Sequence, residues 1–189
     1  MDKDNKKKSR MGSFIIIGAI GLIAVILIII LSQGKETYTS NGGQTVQVNS
    51  LTCSGSNIDG ALFVSDTAQR YTHEIKATVS SNKLREISYK FNATYNSREA
   101  VEDAKAVLMA KYNIYMDENG LVPEILNPVF SPLNSKLQVT LFAKREKIDR
   151  VTARIFFLTE DDIEKIDKMN LADWERSYEK KGFSCQSNE

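Results

Sequence analysis

The chain has 189 residues, 42% hydrophobic and 26% charged, with a formal net charge of +1. That is a globular composition, long enough for one domain and something more. Its near balance of charge excludes a general nucleic-acid binder, so no nucleic acid is expected among its partners.

The near balance hides an asymmetry along the chain. Residues 1–12 carry Lys3, Lys6, Lys7, Lys8 and Arg10 against Asp2 and Asp4, a basic head. The next stretch, "SFIIIGAIGLIAVILIIILS", has no ionisable group. As an α-helix, Phe14 to Leu31 spans roughly 27 Å at ~1.5 Å per residue, close to the ~30 Å hydrocarbon core of a bilayer. Residues 13–32 are therefore predicted to form a single transmembrane helix. The excess of basic residues before it puts the head in the cytoplasm and residues 33–189 outside. A cleaved signal peptide has a shorter apolar region and a small-residue cleavage site, which "LSQGKETY" lacks. A pilin-like stem would carry a glutamate early in the run, and none is present. Gly18 and Gly21 do not have the G-x-x-x-G spacing of a packed helix pair. Residues 33–43 are polar and end in Gly42-Gly43, the composition of a flexible stalk.

The body, residues 44–189, opens with a strand near 44–53, interrupted by the turn formers "SGSNIDG". Tyr71, His73, Ile75, Ala77 and Val79 alternate with polar residues, as do Ile87, Tyr89, Phe91, Ala93 and Tyr95. Period two on both sides of "SSNK" predicts a hairpin of half-buried strands. "NSREAVEDAKAVLMAKYN" changes to helical spacing, with Asn96 as N-cap, Glu99 reaching back, and a stripe of Val101, Ala104, Leu108 and Tyr112 broadened by Ala100 and Val107. Residues 117–135 hold Gly120, Pro123, Pro128 and Pro132 and read as an irregular crossing loop. Two further strands are expected at 137–143 and 151–157, joined by "KREKIDR" as a solvated hairpin tip. "TEDDIEKIDKM" and "NLADWERSYEKKG" read as short helices, with Leu171, Trp174 and Tyr178 inward and Gly182 closing the last one. The fold class expected is α+β: a mostly antiparallel sheet of about five strands with helices on one face, preceded by the transmembrane helix.

Two cysteines, Cys53 and Cys185, fall near the two ends of an exported domain, where thiols oxidise and stay oxidised. The expected reading is one structural disulfide. Free thiols or a redox pair are the alternatives, and catalytic pairs usually have the closer C-x-x-C spacing.

The element order, with "LTC" in the first strand, "KLREISYKFNATY" closing the hairpin, the helix "SREAVEDAKAVLMAKY" and the ending "EKKGFSC", resembles a family of small bacterial envelope proteins, the YehR-like lipoproteins. The likeness covers roughly residues 45–185. It implies a cell-envelope address and a bacterial source, and it brings no catalytic residues. Such lipoproteins carry a lipid on a cysteine directly after the apolar run. No cysteine stands there in this chain, so a membrane helix takes the lipid's place.

Chemistry is sparse. His73, the only histidine, lies on the apolar register of a strand and reads as a buried sheet residue. Glu160, Asp161 and Asp162 read as acidic enrichment of a helix N-terminus, since the calcium-loop spacing is missing. Two cysteines and one distant histidine are too few for a zinc set, and no metal or cofactor is expected. The basic "KREK" at 144–147 reads as a solvated tip, or as a contact for anionic lipid or wall polymer. Asn92-Ala93-Thr94 is a glycosylation sequon inside a strand. Trp174, Tyr178 and Phe183 have core spacing, with a stacking platform as the alternative. Two function classes are left. One is a membrane-anchored extracytoplasmic module that binds an envelope partner: protein, peptide or cell-wall polymer. The other is an envelope enzyme with a carboxylate-based site, for which Asp117, Glu118 and Glu124 are the available acids.

Overall fold

The chain divides into two units, Met1–Glu36 and Thr37–Glu189. The computed structural model describes residues 37–39, 45–121 and 126–188, with side chains from Val48 onward. The basic head, the apolar run and most of the stalk lie outside the described residues. Among the described residues no helix is long and apolar enough to cross a membrane.

The second unit is an α+β domain. Its strands are β1 (Thr37–Thr39), β2 (Thr45–Gly55), β3 (Arg70–Ser80), β4 (Lys83–Thr94), β5 (Val129–Leu133), β6 (Lys136–Lys144) and β7 (Ser184–Asn188). They form one seven-stranded sheet in the order β1-β2-β3-β4-β6-β5, with β7 pairing β2 as well, and every pairing is antiparallel. About five strands were expected. The additions are β1, which falls inside the segment read as stalk, the edge strand β5, and the terminal strand β7, while one expected strand, at 151–157, is absent.

The β3–β4 hairpin follows its alternation. Ser81 and Asn82 both have positive φ, 52° and 58°, the backbone of the two-residue turn that matches strand twist. A register shift at Thr78/Val79 leaves Arg85 unpaired. It turns even-numbered Leu84 onto the same buried face as odd-numbered Ile87, Tyr89 and Phe91. A second two-residue turn, through Asn134 at φ 51°, joins β5 to β6. Residues 117–135 are thus not one irregular loop. Pro132 has no N–H to donate, which confines β5 to the edge and hides its strand character in the sequence.

Helix α1 (Arg98–Glu118) buries Val101, Ala104, Leu108, Tyr112 and Met116, the expected stripe extended by one turn. Val107 is exposed, so it does not broaden that stripe. The N-cap is Ser97 rather than Asn96: its side chain accepts from the Ala100 amide at 3.1 Å. At the other end Gly120, at φ 66°, lets the Leu121 and Gly120 amides close back on the carbonyls of Met116 and Asp117.

The predicted strand at 151–157 is a helix, α2 (Arg150–Ile155), which follows a single turn of 3₁₀-helix at Arg145–Lys147. "KREKIDR" is therefore a strand-to-helix connection and not a hairpin tip. A capping box decides the matter locally: Asp149 Oδ1 accepts from the Val151 and Thr152 amides at 2.9 and 2.8 Å, and Thr152 Oγ1 accepts from the Asp149 amide at 2.9 Å. That outweighs the strand preference of "VTARIFF". The helix ends at Phe157, which holds φ 60°, a left-handed conformation costing a bulky residue ~1–2 kcal/mol. The cost is offset by the Phe157 ring, which packs against His73, Tyr89 and Phe183 at 5.9, 5.4 and 5.2 Å. Helices α3 (Glu160–Lys165) and α4 (Leu171–Glu179) follow, each opened by its own capping box, from Thr159 and Asn170.

Among the described residues the helices pack on one side of the sheet. Helix α1 lies against β5 and β6, and α4 against β2 and β7. Between them Phe63 is fully buried, its ring near Tyr89, Phe91, Tyr112 and Phe130. On β3, β4 and β6 the alternate positions, which point the other way, carry polar or exposed side chains, with Thr78 and Ser80 at the end of β3 buried.

Candidate functional site

The strand register assembles that second face. Counted across β3, β4, β6 and β5, one row reads Arg70, Thr94, Lys136, Leu133, and the next Thr72, Asn92, Gln138, Ser131. A third row, Glu74, Lys90, Thr140, Val129, closes the charge pattern inward, because Lys90 Nζ lies 3.0 Å from Glu74 Oε1. The first two rows floor a concavity of about 510 Å³, of a size that small ligands occupy. No acidic side chain lines it, and Arg70 and Lys136, both exposed, have no ion-pair partner among the described residues. Gln138 Nε2 donates to Asn92 Oδ1 at 2.8 Å, which leaves the Asn92 amide N–H₂ and the Gln138 carbonyl oxygen for another partner. These residues went unrecognised in the sequence, apart from Asn92 and Thr94 as parts of a sequon. The available signal was the polar half of each alternation.

The sequence-predicted candidates fall elsewhere. Cys53 and Cys185 are register partners on β2 and β7, with Cα atoms 4.0 Å apart and sulfurs at bonding distance, 2.04 Å. Cys53 is fully buried and Cys185 half-buried, so the pair lies in the core layer as a fastening of β7. His73 is fully buried. Its Nδ1 lies 2.8 Å from the Tyr89 hydroxyl, while Nε2 has no hydrogen-bond partner among the described residues. The rings of Tyr71, Tyr89, Phe91 and Phe157 surround it within 6 Å. Burial pushes its pKa down to about 4, and pushes the Tyr89 phenol far up. A neutral imidazole walled by rings is a packing element, not a general base in reach of a substrate.

Trp174, Tyr178 and Phe183 are buried as a core stripe, with Tyr178 donating to the Phe156 carbonyl at 3.1 Å. Glu160, Asp161 and Asp162 form the first turn of α3, as expected. Asp162 does more: its carboxylate accepts from the Thr159 amide, Ser177 Oγ and Lys181 Nζ at 2.8, 2.7 and 2.8 Å. Burial works to raise this carboxyl, and the hydrogen bonds from Lys181, Thr159 and Ser177 hold it below the usual value. Lys181 also donates to Ser177 Oγ at 2.6 Å. An ammonium donating to two acceptors has no lone pair with which to deprotonate the serine, so this triad ties α4 to α3 and does not make a nucleophile.

Arg145 of the basic segment is held by a two-pronged bond to Asp167, at 2.9 and 2.7 Å. Asp117 and Glu118 are exposed at the end of α1, away from the groove lining, and Glu124 lies outside the described residues. Among the described residues no group of three or more His, Cys, Asp or Glu side chains is placed to hold a metal ion.

Sheet, helical cover and bare polar face together define a one-layer α+β domain with its last strand fastened to its first long one. No family model matches the chain and no curated protein matches it. Two solved structures are similar. The NMR structure of Escherichia coli YehR aligns with 80% of this chain and 92% of its own at 14% identity and a TM-score of 0.48. The NMR structure of a protein from Streptococcus pneumoniae TIGR4 aligns with 80% and 91% at 16% identity and a TM-score of 0.39.

Proposed function

We propose that the chain is a single-pass membrane protein of the bacterial envelope, akin to the YehR-like proteins. In this reading residues 13–32 cross the bilayer and the α+β domain stands outside as a module that binds an envelope partner through its open sheet face. One observation supports the binding role above others: among the described residues the helices pack on one face of the sheet, while the other face is grooved and carries two cations without an ion-pair partner. A face with no role is ordinarily a flat, solvated surface, whereas binding sites are concave with a few convergent polar groups.

The test is site-specific photo-crosslinking of the full-length chain in intact cells. A photoreactive residue at Thr140, on the open face, is expected to give discrete crosslinked products, and one at exposed Ile114, on α1, none. Products from Ile114 alone, or from neither position, would refute the reading.

A further inference from the structure

We infer that the groove at Arg70 and Lys136 recognises an acidic glycan, a polyhydroxylated chain bearing carboxylate or phosphate groups. This rests on the reading of the open face as the binding surface, and it names the chemistry of what is bound.

The argument begins with what the floor offers. Strands β3, β4 and β6 each have a hydrogen-bonded neighbour on both sides. Their backbone N–H and C=O groups are therefore spent within the sheet, and a peptide laid across them finds no main chain with which to pair. Side chains are presented instead: hydroxyls from Thr72, Thr94 and Ser131, amides from Asn92 and Gln138, the two cations, and the exposed apolar Leu133 at one end. Hydroxyls and amides serve as both donors and acceptors, which is the complement of a sugar's own hydroxyls.

Charge then selects among sugars. Arg70 and Lys136 both pair with Thr94 in register, one from each side, so they lie two strand spacings apart, roughly 10 Å. With no acid in the lining and Glu74 already bound to Lys90, the groove holds two uncompensated positive charges. Two anionic groups on one chain at about that separation would meet both. Neutral glycans would leave the cations unmatched, and a lone inorganic anion would engage one of them.

Calorimetric titration of the full-length protein in a neutral detergent tests this with four probes: oligogalacturonate, a short poly(glycerol phosphate), a neutral dextran oligosaccharide and poly-glutamate. The first two distinguish a carboxylate from a phosphate source. Binding by at least one of them, weakened by added salt and about tenfold lower for Arg70→Gln and for Lys136→Gln, is expected. Dextran should not bind, and poly-glutamate should bind at least tenfold more weakly than the better glycan. Equal binding of poly-glutamate would overturn the glycan assignment in favour of an acidic peptide. No binding of either glycan, or binding unaffected by both substitutions, would overturn it outright. In all those cases crosslinking from Thr140 reports separately on the open face.

Discussion

His73 offers the sharpest quantitative test of the packing. An unfolded chain exposes an imidazole that takes up a proton near pH 6.5. In the folded domain burial lowers that value to about 4. Above pH 7 both states are neutral at this position and the histidine adds no pH dependence. Below pH 6.5 the unfolded state binds a proton that the folded state refuses, so stability falls with pH. The slope approaches ~1.4 kcal/mol per pH unit, and the loss accumulates to roughly 3 kcal/mol by pH 4. Trp174 is the only tryptophan and is fully buried, so its fluorescence reports unfolding directly. Urea titrations between pH 7.5 and 4.5 would be run on the wild type and on His73→Phe. The variant is expected to be less stable at pH 7.5 by ~1–3 kcal/mol, because the buried Tyr89 hydroxyl loses its partner. Its stability should fall less on acidification, so that the two curves converge. The Asp162 and Asp149 carboxyls titrate in both proteins and cancel in the difference. Parallel curves over this range would refute the account of His73 as a buried neutral group.

Three further outcomes follow from the packing. Cys53→Ser and Cys185→Ser should destabilise equally, by up to ~5 kcal/mol on the chain-entropy account for a separation of 132 residues; unequal losses, or an unchanged mobility on a non-reducing gel with and without reductant, would contradict a disulfide. Asp149→Ala removes the acceptor for two amides of α2 and should cost ~1–2 kcal/mol in chemical denaturation, with Asp149→Asn recovering most of it. Phe63→Ala empties the junction of four rings between α1 and the sheet and should cost about 3–5 kcal/mol by thermal or urea melting, whereas Val107→Ala on the exposed side of α1 should change little.

Much of the domain is legible in its sequence where one local rule acts alone. Period two set out β3 and β4, and the i, i+3, i+4 stripe set out α1. Legibility failed where two local rules competed. At 150–155 a capping box overrode β-branched and aromatic residues. At 129–133 proline suppressed the strand signal, and only pairing with β6 made a strand of it. Ser97 replaced Asn96 as N-cap, a one-residue displacement that propensity cannot resolve, since both side chains accept hydrogen bonds. The groove was beyond reach for a different reason. Arg70 and Lys136 are far apart in the chain and meet only because each is registered against Thr94. Register is a property of the assembled sheet.

The fastening of β7 to β2 also sets how the domain answers mechanical load. The strands are antiparallel, so Asn188 emerges at the same end as the residues that enter β2. Tension applied between Thr45 and the carboxyl end therefore peels the pair apart one rung at a time instead of shearing all rungs together. Three rungs, Ser50–Asn188, Leu51–Ser187 and Thr52–Gln186, yield before the pull reaches the sulfur bridge at Cys53–Cys185, and there the peeling stops.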